Sequence, residues 1–368
     1  MLNQKTGNIT ENSPKRYECF DFARGVAIII MVGIHVLYLL SYNTIEQSVF
    51  YKTTYILSSF ICAPVFIFLM GFFISLSRKQ NSYKKIILHS LQILLIAYLL
   101  NFLRGVIPNY MGIYFESLSY TDIKPYTFGI LFIEIDILHL AGLCLLILGL
   151  LYKWVKNKYI LLIILMIIIG ITPFLVKIQT NIPVMNYFLE LLWGQSFYTY
   201  FPLFPWMAFS LSGIIYGEFF KQAKDKDRFF HIGFYSGIVI FIFGLLISVI
   251  FPEFGFDIQT LTKGDYIHGI LPTSLIVCVC GVICMWLFFC QYLANTFSSS
   301  PVFKRIFFWS KNVTLFYCTQ WILIGWLEID IGQRLNIHTT VFFIFVILIL
   351  TDTCIVLFNQ TKKAIMQS

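Results

Sequence analysis

The sequence predicts an all-α polytopic integral membrane bundle of about 10 to 11 crossings with both termini cytoplasmic, and three observations carry that reading. The chain of 368 residues is 58% hydrophobic and only 12% charged, with a mean hydropathy of +0.81, whereas soluble domains carry roughly 25% charge. Ten apolar stretches are each near the roughly 20 residues that a spanning helix needs. They lie near 23–41, 55–76, 84–106, 128–151, 158–176, 200–220, 230–251, 269–293, 310–329 and 338–358. Basic residues are unevenly divided between the connections. With a cytoplasmic N-terminus, 20 of the 26 Lys and Arg residues fall on inner segments, which the positive-inside rule expects.

The net charge of +8 is therefore a topology signal and calls for no nucleic acid. The first apolar run lacks a small-residue cleavage site after its core and carries Arg24 and His35 within its pattern, so it is read as a helix and not as a secretory signal. The nine cysteines lie in or beside apolar runs, which speaks for core residues over structural disulfides. No His and acid spacing resembles a zinc site, and no metal is expected. Residues 1–16 form a polar cytoplasmic tail, 17–360 one transmembrane domain, and 361–368 a second cytoplasmic tail.

In the first helix Arg24, Ile28, Met31 and His35 follow i, i+4, i+7, i+11. The two polar groups thus share one stripe about 16 Å apart, one near the membrane surface and one deep. An ionisable group at that depth is costly unless it faces protein or water, so His35 is expected to line a polar cavity between helices. The ordinary account of a lone buried histidine is a satisfied core hydrogen bond.

Helix two contains Ala63-Pro64-Val65-Phe66 and Gly71; Pro64 and Gly71 loosen it and let a neighbour approach. The basic segment with Arg78, Lys79, Lys84 and Lys85 follows, readable as charge bias alone or as an anion site. The fourth run places Glu134, Asp136 and His139 among apolar residues, with Asp136 and His139 as i, i+3 partners on one helix face. They are read as functional, against the alternative of an interhelical polar clasp. Residues 179–200 are aromatic and suggest a re-entrant or surface-lying helix. Helix six opens on Phe201-Pro202 and Pro205-Trp206, where Trp206 is an interface anchor or part of a site rim. The ninth run carries Asn312, Thr314, Tyr317, Thr319, Gln320 and Trp321, a polar face that suits interhelical bonding or a cavity wall. Asp352 in the tenth has no evident sequence partner.

The run Asp21-Phe22-Ala23-Arg24-Gly25-Val26-Ala27, with Met31 and His35, resembles the opening of the transmembrane acyltransferase superfamily. Pro64 to Gly71, Asp136 to Gly142, Phe201 to Gly213 and Thr314 to Trp321 are similar to stretches of its heparan-α-glucosaminide N-acetyltransferase catalytic-domain family, in order along nearly the whole chain. The animal enzymes of that kind have an extra luminal portion that this chain lacks, so acceptor identity does not carry over.

The resemblance implies transfer of an acyl group, acetyl as a rule, from cytoplasmic acyl-CoA to a hydroxyl or amine of a glycan or glycolipid on the other face of the cell membrane. It implies His35 as general base, with Asp136 and His139 as further catalytic residues. Arg24, Gly25, Arg78 and Lys79 would meet acyl-CoA, and Glu134, Trp206, Tyr317 and Gln320 the acceptor. For Arg24 an ion pair with Asp21 is the plain alternative. No Ser or Cys nucleophile stands out, which favours direct transfer in a cavity reached from both faces. A homodimer is compatible with this reading. The competing function is a proton-coupled transporter or lipid-linked sugar flippase, since buried His, Asp and Glu also mark proton relays.

Overall fold

The computed structural model describes residues 18–77, 82–194, 196–256 and 271–367. Of the described residues 83% are helical, and there is no strand among them. In chain order the helices are α1 (Glu18–Leu40), α2 (Val49–Leu76), α3 (Tyr83–Tyr114), α4 (Phe128–Ile133), α5 (Ile137–Trp154), α6 (Lys158–Leu175), α7 (Pro183–Trp193), α8 (Leu203–Gln222), α9 (Lys226–Ile250), α10 (Thr273–Phe297), α11 (Pro301–Lys311), α12 (Val313–Ile331) and α13 (Ile337–Gln367). Nine of these, among the described residues, are long and apolar enough to cross a membrane. The chain is an all-α polytopic membrane protein. Of the ten expected crossings, α12 is long enough but too polar to join the nine on composition.

Burial separates inner helices from outer ones. In α8, 78% of the apolar window is buried, against 11% in α9, so α8 is interior and α9 faces lipid. Helix α1 is also interior and touches α2, α10, α11, α12 and α13. Helices α2 and α8 cross in backbone contact. A Cβ on Gly71 would lie 1.8 Å from the carbonyl oxygen of Ser210, and one on Gly213 1.9 Å from that of Phe68. Lipid is as apolar as leucine, so such close approach supplies association through dispersion contacts.

Two of the long helices are interrupted by π turns, Ser58–Cys62 in α2 and Phe102–Val106 in α3. Each precedes a proline, Pro64 and Pro108. Proline offers no N–H to the carbonyl four residues back and crowds it, so the preceding turn widens. The carbonyl that Pro108 leaves is that of Arg104, and it presses against α12 where residue 325 is glycine; a Cβ there would meet it at 2.2 Å.

The expected crossing at 128–151 is not one helix. It breaks at 134–136, because Ile135 pairs its backbone with the chain at 198–200: Ile135 N–H donates to the Tyr198 carbonyl and Tyr200 N–H to the Ile135 carbonyl, both at 2.9 Å. Asp136 then caps α5, its Oδ1 accepting from Ile137 N–H at 2.6 Å. Asp136 and His139 do not share a helix face as the spacing suggested. They form a capping box in which Asp136 N–H donates to Nδ1 of His139 at 3.2 Å. In the aromatic stretch 179–200, α7 is a short helix of 11 residues.

Candidate functional site

A cavity of 540 Å³ opens among α1, α2, α3, α8, α10 and α12, at the end of the bundle away from the N-terminus of α1. Tyr38 and Leu39 from α1, residues 122–124 and Tyr126, Glu328 and Gln333 surround its mouth, and Met31, Phe66 and Val279 line its deeper part. Both π turns contribute to its wall, through Ser58, Ser59 and Cys62 and through Arg104 and Gly105. A widened turn re-aims side chains that a regular helix would direct elsewhere.

Arg104 is the hub of the polar wall. Its guanidinium is buried and pairs with Glu134 Oε2 at 3.2 Å and Asp136 Oδ2 at 3.1 Å. Asn101, one turn earlier, accepts from Arg104 at 3.2 Å and donates to the carbonyls of Phe132 and Glu134 at 3.0 and 2.7 Å, which fixes the broken segment. Tyr317 donates its hydroxyl to Asp136 Oδ2 at 2.5 Å. The three charged side chains, Arg104, Glu134 and Asp136, each costly alone in a membrane interior, are thereby satisfied by one another.

His35 sits on the cavity wall and is partly exposed to it. The ring of Trp321 covers the imidazole, with centroids 4.1 Å apart at a tilt of 36°. The same Trp321 ring carries the Arg104 guanidinium at 4.2 Å, so one indole joins the imidazole to the charged cluster. Gln320 meets Nδ1 of His35, its Nε2 at 3.0 Å and its Oε1 at 3.3 Å. Both hydrogen bonds between His35 and the described residues fall on Nδ1, which leaves Nε2 as the nitrogen for the cavity.

An imidazole with one nitrogen engaged and one free, on the wall of a cavity inside a membrane bundle, is an arrangement for moving a proton. The catalytic family model of heparan-alpha-glucosaminide N-acetyltransferase matches residues 16–245. The chain belongs to that family. No curated protein matches it. Membership in the heparan-alpha-glucosaminide N-acetyltransferase catalytic family makes this a membrane acetyltransferase-like protein. The matched segment brings His35, Arg104, Glu134, Asp136 and Trp206, while Tyr317, Gln320, Trp321 and Glu328 lie beyond it on α12.

The other residues expected at a site are more dispersed. Glu134, Asp136, Trp206 and Tyr317 line the cavity with His35. His139 is buried behind Asp136, its Nε2 without a hydrogen-bond partner among the described residues and its ring edge-on to Tyr98 at 4.6 Å. Gln320 is buried and does not line the cavity. Arg24 and Gly25 are not on its wall either. The Arg24 guanidinium stands 4.8 Å from the Phe73 ring centroid, and Gly25 packs on Ile306, where a Cβ would meet the Ile306 side chain at 2.2 Å. Asp21 accepts a hydrogen bond from Ser310 at 2.9 Å. Arg78 and Lys79 lie outside the described residues, as does the tail at 1–16.

Sequence reasoning missed Arg104, Asn101 and Glu328; Trp321 entered it on a polar helix face that suits a cavity wall, and Tyr200 within the aromatic stretch, neither as a site residue. Arg104 falls among the six basic residues outside the inner segments, yet an ionisable residue at the end of an apolar run is itself an intramembrane signal. Asp352, without an evident partner in sequence, accepts from Arg305 and from Trp309 Nε1, which holds α11 against α13. Among the described residues no group of three or more His, Cys, Asp or Glu side chains is placed to hold a metal.

Proposed function

We propose that the protein transfers an acyl group, acetyl in the simplest case, from cytoplasmic acyl-CoA to a hydroxyl or amine of a glycan or glycolipid on the opposite face of the cell membrane. His35 is the general base. The observation that supports this most directly is the placement of its Nε2, unpartnered on the cavity wall while Nδ1 is engaged behind it.

In this reading the acceptor O–H or N–H attacks the thioester carbonyl carbon, and its proton passes to Nε2 of His35. The C–O or C–N bond forms, the C–S bond breaks, and the coenzyme A thiolate leaves. The imidazolium then returns its proton to that thiolate, so the products are the acylated acceptor and free coenzyme A. Direct transfer is favoured by the state of the cavity's own hydroxyls and thiol. Ser58 and Ser59 donate to the Tyr55 carbonyl at 2.8 and 3.0 Å, and Cys62 to the Ala27 carbonyl at 3.5 Å, so none is paired with a base.

Tyr38, Tyr126, Tyr200, Trp206 and Trp321 give the cavity ring faces suited to a sugar, with Glu134 and Glu328 as acceptors for its hydroxyls. The donor would approach from the Arg24 end of α1. Because the cavity lining stops at Met31, that approach requires the helices to part between Arg24 and Met31.

The test is reconstitution in proteoliposomes with radiolabelled acetyl-CoA and a mixture of membrane glycolipids and glycans, read by mass spectrometry. A gain of one acetyl group on one acceptor, with release of free coenzyme A, is the expected result. Protein that moves sugar lipids across the bilayer and consumes no acyl-CoA would instead be a transporter.

A further inference from the structure

Gln320 lies on α12 next to Trp321 and one turn from Tyr317, and it is fully buried. Both atoms of its amide reach Nδ1 of His35, and it has no other hydrogen-bond partner among the described residues. His35, Tyr317 and Trp321 line the cavity, while Gln320 does not. Seen from the cavity, the amide therefore stands behind the imidazole, out of reach of a substrate.

The two nitrogens of a neutral imidazole are coupled: one carries the proton and the other the lone pair. If the amide donates through its Nε2, Nδ1 must present a lone pair, and the His35 nitrogen facing the cavity is N–H. That form takes no proton from an acceptor. If the amide accepts through Oε1, Nδ1 carries the proton and the cavity-facing Nε2 holds the lone pair. The same Oε1 setting also suits the imidazolium formed after proton transfer, in which both nitrogens donate. One setting thus serves the whole cycle, and the other opposes it.

We infer that Gln320 is the positioning residue that, with its amide turned so that Oε1 takes the place of the nearer Nε2 (3.0 Å against 3.3 Å), accepts from Nδ1–H of His35 and so keeps Nε2 unprotonated and turned to the cavity. This assignment rests on the reading of His35 as the base. Trp321 acts with it by covering the ring face at 4.1 Å, which resists a flip of the imidazole. A neutral amide also explains why an acid does not occupy the position. Glu134 and Asp136 already place two carboxylates beside Arg104, and another buried charge would be costly at this depth.

Two variants of the full-length protein separate this role from a substrate contact. Gln320→Met keeps the length of the side chain and removes both polar atoms. It is expected to lower kcat by about 100-fold, the scale of general-base catalysis, and to leave KM for acyl-CoA and acceptor within about 3-fold. Gln320→Glu, above the pH at which its buried carboxyl ionises, keeps an acceptor that cannot donate, and it is expected there to restore kcat to within about 10-fold of the native value. A Gln320→Met protein with native kcat, or one whose loss is wholly in KM, overturns the assignment. A second measurement needs no turnover. In the ring-15N spectrum of the folded native protein, the His35 signals, assigned by their absence from His35→Ala, are expected to show protonated Nδ1 and unprotonated Nε2. The opposite tautomer overturns the proposal even if Gln320→Met does not fold. If His35→Ala retains full transfer while the native tautomer is as expected, the base reading fails and the Gln320 contact still stands as the selector of the tautomer.

Discussion

Arg104 Nη1 and Asp136 Oδ2 lie 3.1 Å apart, and both side chains are buried. One comes from a π turn and the other from a helix cap, two kinds of irregular backbone that meet at the cavity wall. Irregular backbone at membrane depth is tolerated where it lines a cavity or is held by protein. Here it is held by the ion pair itself, by Asn101 and by the backbone pairing of Ile135 with the 198–200 segment.

Replacing Arg104 by methionine leaves Glu134 and Asp136 buried without their cation. Breaking a buried pair from one side costs about 3–5 kcal/mol. The expected outcome is a marked drop in the melting temperature of the purified protein in detergent, together with loss of transfer. A melt unchanged from native would show that the cluster does not hold the fold.

Tyr317→Phe removes one donor from Asp136 Oδ2 and keeps the ring against Trp321. A hydrogen bond to a charged group contributes about 1.5–3 kcal/mol. The variant should fold with a lowered melting temperature smaller in effect than that of Arg104→Met. Thermal melts of the two variants side by side check the order.

Gly71→Ala and Gly213→Ala each insert a methyl group where the facing backbone already touches. Overpacking of this kind costs about 1–3 kcal/mol when neighbours can shift, and backbone carbonyls shift least. Both variants should lose folded yield and melt earlier. In Gly170→Ala, by contrast, the added Cβ meets nothing within 4 Å, so this variant should behave as native in the same assay.

His35→Ala should bind acyl-CoA as the native protein does and transfer its acyl group at a rate lower by about 100-fold or more. Isothermal binding and single-turnover transfer, measured on the same folded preparation, separate the two. Full transfer by this variant would remove His35 from the chemistry.

Much of the fold could be read along the chain. Run length and residual charge located the helices, and His35 in the first run was expected on a cavity wall, where it stands. The break at 134–136 escaped because its cause is a backbone partner more than sixty residues later, and periodicity within one run holds no trace of it. Pro64 marks the loosened turn of its helix in the sequence and Pro108 follows the second π turn, but which way the widened turns face is not a local property.

By itself the sequence determined that this is a helical membrane protein and that a histidine lies deep in its first helix, because apolar length and buried polarity are local quantities. Only the tertiary structure decided that the Arg104 guanidinium, and not the His139 ring, partners the Asp136 carboxylate, and that Gln320 stands behind His35 and away from the cavity. The physical reason is that a helix apolar on all sides gives no amphipathic stripe to fix its rotation. Which polar groups face one another then depends on how neighbouring helices pack, through contacts such as Gly71 on Ser210 and Gly325 on the Arg104 carbonyl.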